Sequence, residues 1–207
     1  MPSKVVLQAT AFTVVVAALI MSAIRGSAPD TLSEWLAPVG PAVVAAGAGL
    51  WLFDRHAWRW PGLRRLVGRP LLHGTWHGTL ASRWVNPDTN EGIAPDPSVF
   101  LVVRQRYWSV TVRQLTRESG SASIRADLYC NPDRVWQLVY LYSNVPRAEF
   151  RHRSEIHYGA AVLTAPGNGE AVAGHYFTDR NTMGDMTFPR HFAALVETHD
   201  GGMRLLG

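Results

Sequence analysis

The chain has 207 residues, of which 17% are charged, with a formal net charge of +4 and a single cysteine, Cys130. That composition excludes an intrachain disulfide and offers no thiolate cluster for a metal. Residues 1–70 carry 7 basic and 3 acidic side chains whereas residues 71–207 carry 13 of each, so the larger, C-terminal part lacks the basic excess that tracks a DNA or RNA polymer.

Two uncharged stretches come first. Val5–Ile24 and Trp35–Phe53 contain no Asp, Glu, Lys or Arg, and each approaches the roughly 20 residues that carry a helix across a ~30 Å hydrocarbon core. They predict a two-helix transmembrane hairpin over residues 1–54. A cleaved signal peptide competes for the first run, with Lys4 before it and Gly26-Ser27-Ala28 after it. The run outlasts the roughly 7–15 apolar residues of a signal segment, and a second run follows at once. Pro38 and Pro41 stand near the start of the second run, and Trp35 and Trp51 bracket it as interfacial aromatics. Ala9, Thr13 and Ala17, and then Ala45 and Gly49, are spaced four apart and let helices approach closely.

Residues 55–71 form a basic juxtamembrane linker with Arg55, Arg59, Arg64, Arg65 and Arg69. Together with Lys4 they predict that both termini face the cytoplasm, and the same arginines suit anionic lipid headgroups.

From residue 72 onward the pattern is that of an all-β domain. Short runs rich in Val, Thr, Tyr, Trp and Phe predict strands at 74–82, 98–105, 107–117, 121–130, 135–143, 155–165, 171–179 and 183–189, with a ninth at 192–198. Asn-Pro-Asp at 86–88 and at 131–133, and Ala165-Pro166-Gly167-Asn168-Gly169, punctuate them. Cys130 reads as a small strand residue. Eight strands at hairpin spacing in residues 72–207 predict a small eight-stranded antiparallel β-barrel, with a sandwich as the competing architecture. Gly74-Thr75-Trp76 is similar to the opening of calycin barrels, in which the indole closes one end.

Strand parity selects candidate binding residues. Tyr176, Thr178 and Arg180 share one face of the seventh strand, and Trp136, Leu138, Tyr140, Tyr142 and Asn144 share one face of the fifth. Thr116 closes the third strand, and Ser119, Ser121 and Ser123 alternate along the fourth. A core built only for stability prefers aliphatic residues, because each unpartnered buried hydroxyl costs about 1–3 kcal/mol. Rings that stack on bases, hydroxyls and amides that read base edges, and an arginine that meets phosphate suit a nucleotide pocket. Ordinary barrel tyrosines and a solvated Arg180 are the bland alternative.

The eight histidines fit no metal spacing: His73 and His77 lie at a strand start, and His152, Glu155 and His157 match no metalloprotease pattern. No nucleophile elbow or Walker loop is present, and Asp179 and Asp185 support no acid–base pair. Neither an enzyme nor a metal site nor a cofactor is expected.

With the two spans in front, the domain resembles the two-transmembrane, β-strand-rich (minimal β-barrel) effectors of bacterial CBASS anti-phage systems. The resemblance rests on Gly74-Thr75-Trp76-x-Gly78, Val102-Val103-Arg104-Gln105, Thr116 with Ser119-x-Ser121-x-Ser123, Tyr140-x-Tyr142-x-Asn144-x-Pro146, His157-x-Gly159 and Gly174-x-Tyr176-Phe177-Thr178-x-Arg180-x-Thr182-x-Gly184. It implies a barrel that binds a cyclic dinucleotide made by a partner nucleotidyltransferase. The helices then assemble into a homo-oligomer and disrupt the bacterial inner membrane in abortive infection. Across these motifs the implied ligand-binding residues are Trp76, Arg104, Gln105, Thr116, Ser121, Tyr140, Tyr142, His157, Tyr176, Thr178 and Arg180. A membrane-tethered calycin-like carrier of a lipid or other small ligand is the alternative.

Overall fold

The computed structural model describes residues 39–83, 94–152, 154–165 and 171–207, together with 8, 11, 12, 15, 16, 19, 20, 22–24, 26, 31, 33 and 92. Half of the first predicted span, Ala9, Thr13 and Ala17 included, the start of the second with Trp35 and Pro38, and the turns at 86–88 and 166–169 lie outside the described residues. Internal packing divides the chain into two units, Met1–Leu63 and Arg64–Gly207.

In the first unit, α1 (Val39–Arg55) takes up most of the second uncharged stretch. Arg55, in its last turn, lies 5.7 Å from the Trp51 ring centroid, so a cation sits on an aromatic face at the end of the helix where the dipole favours positive charge. Among the described residues no helix is long and apolar enough to cross a membrane. A second helix, α2 (Pro61–Val67), starts with proline, whose missing N–H is unneeded there. It stops at Gly68, whose left-handed φ of 64° lets its N–H return to the Arg64 carbonyl at 2.9 Å.

The second unit is an eight-stranded antiparallel barrel: β1 (Gly74–Ser82), β2 (Asp96–Gln105), β3 (Val110–Leu115), β4 (Ser119–Cys130), β5 (Trp136–Pro146), β6 (His157–Thr164), β7 (Val172–Thr178) and β8 (Met183–Phe192). Each strand pairs with its sequence neighbour, and β8 returns to β1 to close the sheet. Alternation drives the arrangement. Leu101, Val103, Val112, Leu138, Leu163, Met186 and Phe188 turn inward and are buried, while the residues between them face outward. The turn after β4 is set by Asn131, whose side-chain oxygen accepts the Val135 N–H at 2.8 Å, with Arg134 at φ 62°.

Two expectations about strands are corrected. The third strand begins at Val110 because the Arg106 N–H bonds the Ser109 carbonyl at 2.7 Å and makes 106–109 a hairpin turn. There is no ninth strand at 192–198: β8 runs on to Phe192 and already occupies the edge of β1, so the chain has no free ladder to join. Instead it crosses the outer wall and ends in α3 (His199–Met203), capped by the Thr198 hydroxyl, which accepts the Gly201 N–H at 3.0 Å. This C-terminal strap covers Phe100, Val102 and Leu115 with Leu195, Val196, Leu205 and Leu206. The Thr75 hydroxyl ties it down by donating to the Ala194 carbonyl at 2.7 Å and accepting the Val196 N–H at 3.2 Å.

Candidate functional site

The two ends of the barrel differ. At the end where the chain enters, Trp76 donates its indole N–H to the Leu72 carbonyl at 2.9 Å, and His191 packs on its ring at 4.5 Å between centroids. Gln105, fully buried, accepts the Leu72 N–H at 2.7 Å and donates to the Pro70 carbonyl at 2.9 Å. Arg69 lies over the rings of Tyr107 and Trp136 and donates to the carbonyls of Tyr107 and Leu128. Every polar group of Trp76 and Gln105 named here is spent on the chain's own backbone, so this end is a plug.

The opposite end is lined by polar residues. Because strand pairing winds around the barrel, cross-strand partners form three rows. One row is Gln114, Ser121, Asn144 and His157. The next contains Ser123, Tyr142, Gly159 and Thr178, and the third Tyr140, Ala161, Tyr176, Gly184 and Ser82. Ser121, Tyr142, Tyr176 and Thr178 each keep 7–8% of their surface, whereas Leu138, Leu163 and Phe188 deeper in the barrel have none. The upper set therefore meets solvent at a mouth, and the lower set is a dry floor.

Two glycines make room for the rings. A Cβ at Gly159 would lie 2.4 Å from the Tyr142 hydroxyl oxygen, and one at Gly184 would lie 2.8 Å from the Tyr176 ring. Tyr140 and Tyr142 stand 5.8 Å apart, ring to ring, at a 45° tilt. Polar atoms are paired: the Tyr140 hydroxyl reaches Gln114 Oε1 at 3.4 Å, Tyr176 hydrogen-bonds the Ser82 side chain, and the Thr178 and Thr182 hydroxyls lie 2.6 Å apart. Ser123 accepts the Val112 N–H at 2.9 Å across a β4 bulge. Among the described residues, the inward positions of this end carry no Asp, Glu, Lys or Arg. Aromatic faces, hydroxyls and amides without fixed charge can stack on flat heterocycles and exchange hydrogen bonds with their edges.

Of the residues selected from sequence, Ser121, Tyr140, Tyr142, His157, Tyr176 and Thr178 are brought together here. Thr116, bonded to Ser119 in the β3–β4 hairpin, and Arg180, exposed in the β7–β8 turn, stand at the same end. Trp76 and Gln105 are at the plug. Arg104 is on the outer wall, ion-paired with Glu197 of the strap. Gln114 and Ser82 also face the mouth and were not selected, although the alternation of Val110, Val112 and Gln114 signals the first. No group of three or more His, Cys, Asp or Glu side chains positioned for a metal occurs among the described residues.

Burial pushes the Tyr140, Tyr142 and Tyr176 phenols above their ordinary range, Tyr142 being raised further by Tyr176 and Asp179. They remain neutral donors at physiological pH. The unfolded chain releases these protons near pH 10, the folded barrel only above it, so stability is fully present below about pH 10 and falls as pH rises beyond it. Urea midpoints measured from about pH 8 to about pH 11 should drop at the alkaline end. A flat or rising profile would show that the phenols are not buried in solution.

A family model described as Cap15, cyclic dinucleotide receptor domain, matches residues 67–190. The CD-NTase-associated protein 15 of Yersinia aleksiciae is 29% identical over 140 residues, which cover 67% of this chain and 64% of that protein. The chain thus matches somewhat under two thirds of that relative's length.

Proposed function

The chain belongs to the Cap15 cyclic dinucleotide receptor family, and on that premise we propose that its barrel is the sensor of a membrane effector in bacterial CBASS defence. The observation that carries this reading is the mouth: tyrosines, hydroxyls and amides gathered on a dry floor in a barrel plugged at its other end. A cyclic dinucleotide offers two bases for Tyr140, Tyr142 and Tyr176 to stack against and base edges for Gln114, Asn144 and Ser121. Arg180, at the rim, meets a phosphate. In this reading the ligand comes from a cognate nucleotidyltransferase and is bound without being consumed. The two uncharged stretches cross the inner membrane with both termini in the cytoplasm. Ligand binding drives them to assemble and disrupt the bilayer.

The test is calorimetry of the full chain in detergent micelles against a panel of cyclic dinucleotides, followed by chromatography of the recovered ligand. Saturable binding with intact ligand is expected. A linearised product would make the protein an enzyme, and no binding across the panel would favour a carrier of another small ligand. If Arg180 meets phosphate through a charge-assisted bond of about 1.5–3 kcal/mol, Arg180→Ala weakens binding roughly 10- to 100-fold. An unchanged Kd would remove that role.

A further inference from the structure

Four connections join strands at the mouth, and two of them are tight hairpins built alike. In the β3–β4 hairpin the Thr116 N–H donates to the Ser119 carbonyl at 2.9 Å, and the Thr116 hydroxyl accepts the Glu118 N–H at 3.3 Å and the Ser119 N–H at 2.9 Å. In the β7–β8 hairpin the Thr178 N–H donates to the Thr182 carbonyl at 2.9 Å, and the Thr178 hydroxyl accepts the Arg180 and Thr182 N–H groups, each at 3.3 Å. Each threonine hydroxyl also pairs with that of the residue closing its turn, Ser119 at 3.1 Å and Thr182 at 2.6 Å. Such side-chain bonds fix the shape of a turn. Each turn presents one exposed arginine, Arg117 or Arg180, and neither guanidinium has an ion-pair or hydrogen-bond partner among the described residues.

The two hairpins face each other. They are four strands apart in a ring of eight, hence on opposite sides of the mouth. They also stand at similar height. The row from Ser82, the last residue of β1, through Gly184, Tyr176, Ala161 and Tyr140 ends at Ala126, in the middle of β4, so rows sink toward the plug as they wind round the tilted strands. The row from Thr178 meets β4 at Ser123, whose hydroxyl holds the Val112 N–H of β3. Thr116, four residues nearer the mouth than Val112, regains the height that the row loses over half a turn. Other cations at this end are spent or lie elsewhere. Arg83 is ion-paired with Asp185, and Arg151 donates Nε–H to the Pro146 carbonyl at 3.4 Å. Arg147 and Arg151 belong to the β5–β6 connection, a quarter-turn from both hairpins.

We infer that Arg117 meets the second phosphate of the ligand, so that Arg117 and Arg180 clamp its two phosphodiesters from opposite sides of the mouth. This rests on the cyclic dinucleotide reading of the site. A cyclic dinucleotide carries its two phosphates on opposite sides of one ring, and the inward positions below the rim carry no Lys or Arg among the described residues, so each phosphate takes its cation from the rim. An acidic neighbour stands beside each arginine, Glu118 in one turn and Asp179 in the other, which leaves both turns without net charge. Recognition then comes from two directed contacts at a fixed separation and not from a broad positive field, which disfavours long polyanions.

Calorimetry of the full chain in detergent micelles tests this, with cyclic di-AMP, cyclic di-GMP and cyclic GMP-AMP as ligands and with the linear dinucleoside monophosphate of the same bases. For the cyclic ligand that the wild-type chain binds most tightly, Arg117→Ala should raise Kd roughly 10- to 100-fold, matching the loss expected for Arg180→Ala, and Arg117→Lys should recover part of it. Arg147→Ala should stay within about twofold. The linear ligand has both bases but a single phosphodiester, which Arg180 can take. Its disadvantage against the cyclic ligand should therefore shrink by about fivefold or more in Arg117→Ala, whereas a merely structural role leaves that ratio unchanged. Because the two arginines hold different phosphates, their losses should multiply in the double variant. Wild-type affinity in Arg117→Ala, an unchanged cyclic-to-linear ratio, or a double variant no weaker than a single one would overturn the proposal while leaving the pocket in place. A wild-type chain that binds no cyclic dinucleotide would overturn the reading of the site, and the proposal with it.

Discussion

Phe188→Ala is expected to cost the barrel about 3–5 kcal/mol, the range for an aromatic removed from a packed core. Phe188 is completely buried, pairs with Val172, and its backbone is so close to β1 that a Cβ on Gly78 would lie 2.6 Å from the Phe188 Cα. The cavity cannot close by moving the neighbouring strand inward, because the strands already touch. Against the 5–15 kcal/mol that holds a typical domain together, the loss lowers the melting temperature by about 10 °C or more. Phe177→Ala, one strand away but half exposed on the outer wall, should shift stability by no more than about 0.5 kcal/mol. Thermal melts of the two variants followed by circular dichroism provide the comparison, and similar shifts would mean that the inward and outward faces have been assigned wrongly.

Tyr142→Ala should weaken cyclic dinucleotide binding roughly 10- to 100-fold, the equivalent of one lost base stack. The ring is held over Gly159, where an added methyl would meet the Tyr142 hydroxyl oxygen at 2.4 Å and its Cζ at 2.5 Å. Gly159→Ala must therefore move the ring and lose a similar factor. If both act through the ring, the double variant loses little more than either single one, which a double-mutant cycle detects. Calorimetry alongside melts separates binding from folding. Wild-type affinity in a folded Tyr142→Ala protein would remove the tyrosine from the site.

Much of this molecule is readable from its residues because turn signals and alternation are local. Asn131-Pro132-Asp133 and the hairpin residues bound the strands, and period-two patterning turns Tyr140, Tyr142 and Leu138 to the same side. What escapes a local reading depends on closure and register. Arg104 and Gln105 are adjacent, so one must face inward and the other outward; only the pairing with β3 and the strap assigns Gln105 to the plug and Arg104 to Glu197. On β4, Leu128 and Ala126 face inward at even positions and Ser123 and Ser121 at odd ones. No single period satisfies both. The bulge between Ser123 and Arg125 absorbs the extra residue and leaves Ile124 and Arg125 both exposed. The ninth strand failed for a related reason, since edge availability is a property of the closed sheet and not of residues 192–198.

Closure also has a consequence for how the barrel is made. Seven of its eight pairings join strands that follow one another along the chain, and β1 with β8 is the exception. The first seven can grow as successive hairpins, each with a modest loop entropy, while the seam must bring together segments more than a hundred residues apart. The strap bonds lie across that seam: Thr75 and Ala194 are 119 residues apart, and their hydrogen bond links β1 to the chain just beyond β8. The strap residues thus act as a latch on the pairing that carries the largest loop-closure entropy. Once the seam has formed, the latch ties β1 to the chain beyond β8 and so opposes its reopening.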